Sequence, residues 1–258
     1  MIDTIVVYTL LFLFGISIGS FLNVCIYRLP RGEGIVKRSS HCPGCGQKIK
    51  FYDLFPVFSF LALGGKCRHC GAGISPRYMV VELLCALIWM FLFYTLGITW
   101  TFLFFAVLSA ALIVITFTDI EFTEIPNEVV LTLLVAGIIY NIVSFDLNFT
   151  INSVIGFFAA SVPMLIMGMI KKGGMGMGDV KLMAVCGLFI GWKCILLAMF
   201  LGAVAACLFV ILQIIIGRRE KGAAIVFGPF LSIGILVSGL YGEALIDWYF
   251  NLILQNSF

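Results

Sequence analysis

Long apolar runs separated by short polar connections dominate the chain. Runs of roughly 20 residues, enough to cross a bilayer, lie at about 5–27, 79–97, 101–118, 128–145 and 152–170. Three more follow near 180–192, 194–216 and 225–242. The run at 180–192 is short for a crossing and fits a half-buried or tilted segment. The pattern predicts an all-α polytopic membrane protein with about eight transmembrane helices, seven being the fallback count. One long polar segment, 28–78, separates the first two runs, and no internal repeat is visible. The N-terminus shows neither the basic start nor the small-residue cleavage site of a secretory signal. Residues 5–27 therefore read as a retained first span.

Composition agrees with this pattern. Of 258 residues, 62% are hydrophobic and 11% are charged, against about 45–50% and about 25% in a soluble globular chain. So large an excess exceeds the needs of one water-soluble core. The net charge of +3 says little about partners, but the placement of charge says more. With the N-terminus outside and all eight segments crossing, the loops 28–78, 119–128, 171–181 and 217–224 face inward. Those loops hold Lys171, Lys172, Lys181, Arg218, Arg219, Lys221 and the basic residues of 28–78, which is all but Lys193 of the 16. Such segregation is the positive-inside bias, and it predicts a multi-pass protein whose long polar loop is cytoplasmic.

That loop contains His41-Cys42-Pro43-Gly44-Cys45-Gly46 and Cys67-Arg68-His69-Cys70-Gly71. Two Cys-x-x-Cys knuckles 21 residues apart are a zinc-site spacing, because each tight turn offers two thiolates and four sulfurs complete a tetrahedral shell. Disulfides are rare in the cytoplasm. Cys42, Cys45, Cys67 and Cys70 are thus expected to hold a structural zinc ion, closed to reacting water. His41 and His69, beside the knuckles, read as solvated loop residues, with a place as spare ligands or as partners of the ligands the alternative. Phe51, Tyr52, Leu54, Phe55, Pro56 and Phe58 form an apolar patch expected at the membrane interface or against the bundle. Cys25, Cys85, Cys186, Cys194 and Cys207 fall in apolar runs and read as packing residues.

Two carboxylates stand at the ends of apolar runs. Asp119 closes the third, in Thr116-Phe117-Thr118-Asp119, and Asp179 opens the sixth, in Gly176-Met177-Gly178-Asp179. A carboxylate at membrane depth costs roughly 2.5–3.5 kcal/mol on insertion scales, so it needs a reason to be there. The third span runs inward and the sixth outward, which places both acids at the same depth on the inner face. Two close carboxylates share a proton. One then activates water while the other protonates the scissile carbonyl, with no metal and no covalent intermediate. The glycines before Asp179 would let a substrate backbone approach. Taken singly, Asp179 also fits a helix N-cap and Asp119 a solvated helix end. Glu121, Glu124 and Glu128 make the loop after Asp119 acidic, which suits either a basic substrate or plain solvation. Glu82, early in the second span, is open between a structural partner of Arg28 or Arg77 and part of a second site. Lys181 is open between an inner-face anchor and a substrate-site charge.

Taken together, these residues resemble a known family. Asp119 followed by Glu124-Ile125-Pro126-Asn127, with Gly176-Met177-Gly178-Asp179-Val180-Lys181-Leu182, looks like the type IV prepilin peptidases, membrane aspartic proteases of the Gly-x-Gly-Asp kind. Gly19-Ser20-Phe21-Leu22-Asn23-Val24, Arg28, Pro30, the paired knuckles, Ser75-Pro76-Arg77-Tyr78, Glu82 and Phe227-Gly228-Pro229-Phe230 extend the likeness from about residue 15 to 232. Gly-x-Gly-Asp alone is shared with presenilin-like proteases; the whole set in this order is specific. Asn127 stands where the family often has Asp, and Val226 where it often has Pro. The resemblance implies a catalytic pair, Asp119 and Asp179, that removes the basic leader of prepilins or pseudopilins at the cytoplasmic face of the inner membrane. It also implies S-adenosylmethionine-dependent methylation of the new N-terminus, for which the residues show no glycine fingerprint of their own. Residues 1–100 would be the N-terminal domain and 101–258 the peptidase domain, with lipid and prepilins as partners and no nucleic acid. Two other classes remain: a carboxylate-based ion or proton transporter, which would place acids near the bilayer midplane, and a zinc-clipped interaction protein without catalysis.

Overall fold

The computed structural model describes residues 2–35, 42, 44–48, 59, 62–170, 175–217 and 225–255. Among these residues the chain is helical, with no β-strand and one isolated antiparallel bridge between Lys66 and Gly73. Among the described residues, seven helical stretches are long and apolar enough to cross a membrane. The chain divides into two compact units, Met1–Val114 and Ile115–Phe258.

In the first unit, α1 (Ile2–Arg28) packs on α2 (Arg77–Leu96). Helices in lipid gain little from burying apolar surface against each other, so small residues that allow close backbone contact select the interface. Gly15 and Gly19, four apart on α1, do this. A Cβ on either would lie 2.6 Å from the Cα of Ala86 or Glu82 on α2. Asn23 Nδ2 crosses the same seam to the Tyr78 carbonyl at 3.0 Å. A 3-10 turn, Leu29–Arg31, ends α1. The buried Arg28 guanidinium donates to the carbonyls of Ile35 (3.0 Å) and Gly34 (3.4 Å). Glu82 is buried on α2. Helix α3 (Trp100–Phe122) begins in this unit and ends in the second.

The second unit continues with α4 (Asn127–Ser144), α5 (Leu147–Ala159), α6 (Ser161–Ile170), α7 (Met177–Ile215) and α8 (Gly228–Gln255). Asp146 caps α5, its Oδ1 accepting from the N–H groups of Asn148 (2.9 Å) and Phe149 (3.3 Å). Helices α5 and α6 form one apolar stretch, Leu147–Ile170, interrupted at Ala160. Pro163 supplies a reason, because it has no N–H to return to the carbonyl four residues earlier. The runs expected as separate spans at 180–192 and 194–216 fall in α7. A break at Gly191 (φ 73°, ψ 176°) divides that element, a conformation no L-residue adopts without strain. Helix α7 is the centre of the unit. Gly156 of α5 meets Gly187 and Gly191 backbone to backbone. Asn141 Nδ2 of α4 reaches the Leu188 carbonyl at 2.9 Å, and Ser238 Oγ of α8 donates to the Cys194 carbonyl at 2.5 Å.

The lone cysteines divide by position. Cys25, Cys85, Cys186 and Cys194 are buried in helix contacts, while Cys207 is exposed on the apolar face of α7. The aromatic patch of Phe51, Tyr52, Leu54, Phe55, Pro56 and Phe58 lies outside the described residues, as do His41, Lys171, Lys172, Arg218, Arg219 and Lys221.

Candidate active site and thiol cluster

Asp119 stands in the last turn of α3 and is buried, with 8% of its surface exposed. The chain turns sharply just after it. Thr123 takes a left-handed conformation (φ 53°), which costs a β-branched residue roughly 1–2 kcal/mol, and its N–H bonds back to the Asp119 carbonyl at 2.9 Å. This turn folds Glu124-Ile125-Pro126 back toward α7. Pro126, in extended conformation, is then the cap residue from which α4 starts.

Asp179 lies in the first turn of α7 and is half-buried. It does not cap the helix, correcting one of the readings of this residue. The cap position is Gly176 (φ −69°, ψ 130°), with no side-chain hydrogen bond, which leaves the Asp179 carboxylate available for other work. The glycines around it are not simply open space. A Cβ on Gly178 would fall 2.9 Å from Ile125 Cβ, and one on Gly176 would fall 3.0 Å from Asp179 Oδ2. Gly178 thus admits the Ile-Pro turn and Gly176 admits the carboxylate. The two motifs, distant in the sequence, are packed on each other.

Asp119 and Asp179 line one cavity of about 440 Å³ and lie within electrostatic reach of each other. Thr123, Glu124, Ile125, Asn127, Gly176, Gly178 and Lys181 contribute to its wall. Of the three nearby glutamates only Glu124 lines it; Glu121 and Glu128 do not. Lys181 lines the cavity and donates to Asn127 Oδ1 at 3.0 Å. One feature was passed over in the sequence. Gly228, at the start of α8, donates its backbone N–H to Asp119 Oδ2 at 2.8 Å. The Gly-Pro pair inside Phe227-Gly228-Pro229-Phe230 was the available signal, since such a pair at a helix start leaves its first N–H unclaimed.

In the first unit, the Sγ atoms of Cys42, Cys45, Cys67 and Cys70 all lie within 4.8 Å of one another. The two knuckles repeat one geometry. Gly46 N–H bonds to the Cys42 carbonyl at 2.8 Å and Gly71 N–H to the Cys67 carbonyl at 2.9 Å, each glycine having φ 70°. The Cys42 and Cys70 sulfurs are 3.8 Å apart. A tetrahedral shell with Zn–S bonds of about 2.3 Å requires sulfurs about 3.8 Å apart, so the donor set fits zinc. Backbone N–H groups of Cys70 and then His69 pull the Cys67 thiol down to about 6. His69 itself is exposed and stands outside the cluster.

Apolar helices long enough to span a bilayer, with a cavity lined by two aspartates, are the frame of a membrane enzyme. Residues 13–96 match the Bacterial Peptidase A24 N-terminal domain, and residues 106–211 match the Type IV leader peptidase family. Similar proteins carry the name prepilin leader peptidase/N-methyltransferase. One from Aeromonas salmonicida is 32% identical over 96% of this chain and 95% of its own length. One from Pseudomonas aeruginosa is 31% identical over 92% and 91%. One from Bacillus subtilis is 30% identical over 95% and 99%. The chain belongs to the type IV leader peptidase family and is a peptidase of that family. No solved structure matches it.

Proposed function

We infer that the chain is an inner-membrane aspartic endopeptidase that cuts the basic leader from type IV prepilins or pseudopilins on the cytoplasmic side. Asp119 and Asp179 are its catalytic pair. The observation that carries this reading is that the carboxylates, 60 positions apart in sequence, line the same cavity. One carboxylate takes a proton from water as the water attacks the scissile carbonyl and later passes it to the leaving amine, while the other gives its proton to the developing oxyanion and recovers it as the intermediate collapses. Two charges, Glu124 and Lys181, flank the pair. The net negative wall suits a basic leader, while the substrate's apolar segment stays in lipid. Residues 1–100 form the accessory domain, with zinc on Cys42, Cys45, Cys67 and Cys70, and residues 101–258 form the peptidase domain. The names borne by the relatives support a second activity, methylation of the new N-terminus with S-adenosylmethionine as donor.

The test is leader removal from a prepilin-like peptide by protein purified in detergent, read by mass spectrometry. Asp119→Asn and Asp179→Asn are each expected to lower the rate by at least about 10²-fold. Wild-type cleavage by either variant rules the pair out. A mass gain of one methyl group on the processed product, dependent on added S-adenosylmethionine, reports the second activity in the same spectrum.

A further inference from the structure

The two carboxylates are not equivalent. Asp119 Oδ2 accepts the Gly228 N–H at 2.8 Å in a buried setting, and this is its one side-chain hydrogen bond among the described residues. No donor among the described residues reaches the Asp179 carboxylate, although it lines the same cavity. The Gly228 donor is also the last one available at that helix end. Of the first N–H groups of α8, those of Phe230 and Leu231 are both bonded to the Phe227 carbonyl at 3.1 Å, and Pro229 has none. A single N–H, at the positive end of a long helix, is therefore aimed at a single oxygen.

We propose that Gly228 is a positioning residue that holds Asp119 as the ionised, water-activating member of the pair and leaves Asp179 to carry the shared proton; this rests on the aspartic-peptidase reading above. The chemistry follows from donor and acceptor rules. An N–H can only donate, so Asp119 Oδ2 presents a lone pair to it, and an ionised carboxylate oxygen accepts more strongly than a neutral carboxyl oxygen. Hydrogen bonding to the charged form favours that form. Asp179, without such a donor, is the better seat for the proton. In the reaction Asp119 takes a proton from the attacking water, and Asp179 gives its own to the carbonyl oxygen. On collapse of the tetrahedral intermediate Asp119 passes its proton to the leaving amine and the oxyanion proton returns to Asp179, which restores the starting state. The position also requires glycine. A Cβ on residue 228 would stand 2.6 Å from Asp119 Oδ2 and 3.1 Å from Asp119 Cγ, so any side chain pushes the carboxylate from its place.

The experiment replaces the Gly228 amide with an ester by incorporating glycolic acid at position 228, which deletes the N–H and adds no bulk. Gly228→Ala, Asp119→Asn and Asp179→Asn are measured beside it on a leader peptide in detergent. The ester protein should lose roughly 10- to 100-fold in kcat, the usual effect of removing a hydrogen bond to a charged group. Its KM should stay within about twofold, because substrate binding does not use this contact. Gly228→Ala should lose at least as much in kcat. Wild-type kcat in the ester protein, with both aspartate variants inactive, overturns the positioning role and leaves the peptidase reading standing. Wild-type cleavage by the aspartate variants overturns both. A rise in KM with kcat unchanged also overturns the role, since it would place Gly228 in substrate binding.

Discussion

Gly156→Ala tests whether the centre of the second unit is held by backbone-to-backbone contact. The added methyl would stand 2.6 Å from the Gly187 carbonyl oxygen, 2.8 Å from Gly191 C and 3.0 Å from Trp192 N. All three are main-chain atoms and none can rotate away. Ordinary contact needs about 3.4 Å, so α5 and α7 must separate by several tenths of an ångström, an overpacking cost near the upper end of about 1–3 kcal/mol. Alanine returns about 1 kcal/mol of helix propensity over glycine. The net loss is about 2 kcal/mol, or roughly 4–8 °C in melting temperature for a chain of this size. The paired control is Gly168→Ala on α6, where the nearest neighbour of a new Cβ is Met175 Cβ at 3.5 Å. That variant gains propensity without a clash and should melt slightly higher than wild type. Thermal unfolding in detergent, followed by circular dichroism, compares them. If Gly156→Ala melts at or above wild type together with Gly168→Ala, the close approach is not what holds α5 to α7.

Three further expectations follow from other parts of the chain. Cys42→Ser, assayed for total metal by mass spectrometry, should reduce bound zinc from about one per chain to below roughly a tenth, since a structural site with three thiolates is incomplete; unchanged zinc would mean that the cluster is not the site. Asp146→Ala removes the cap that accepts from Asn148 and Phe149 and should cost about 1 kcal/mol, a fall of about 2–4 °C; no change in the melt would show that the cap contributes nothing. Glu124→Gln removes one negative charge from the cavity wall and should raise KM for a basic leader peptide roughly 2- to 5-fold at low ionic strength, with the difference fading in high salt; an equal KM at all salt concentrations would remove Glu124 from substrate attraction.

Much of this was legible in one dimension because the bilayer imposes simple rules. The length of the apolar runs predicts the long helices, and the two motifs that carry Asp119 and Asp179 do line one cavity. Spacing alone brought four thiols to one point, since two tight Cys-x-x-Cys turns leave few other arrangements. What escaped were contacts that depend on backbone direction. Nothing in Gly191 distinguishes a break from a tolerated helix glycine, and the pattern cannot say that the 180–192 and 194–216 runs share one element. The packing of Ile125 against Gly178 links two distant motifs through the left-handed turn at Thr123, a conformation the residue type argues against. The donor to Asp119 is a main-chain N–H more than a hundred positions away; the Gly228-Pro229 pair marks a free N–H at a helix start but not where it points.

The break at Gly191 leaves α7 with a short first half. From Met177 to that break it has roughly 14 residues, or about 21 Å of helix, against a hydrocarbon thickness of about 30 Å. Every residue from Leu182 to Phe189 is buried, so this half-helix is sheathed by protein, and its neighbours rather than lipid take up its shortness. Asp179 opens the sheathed segment and so sits on a part of the fold that bilayer thickness does not grip directly.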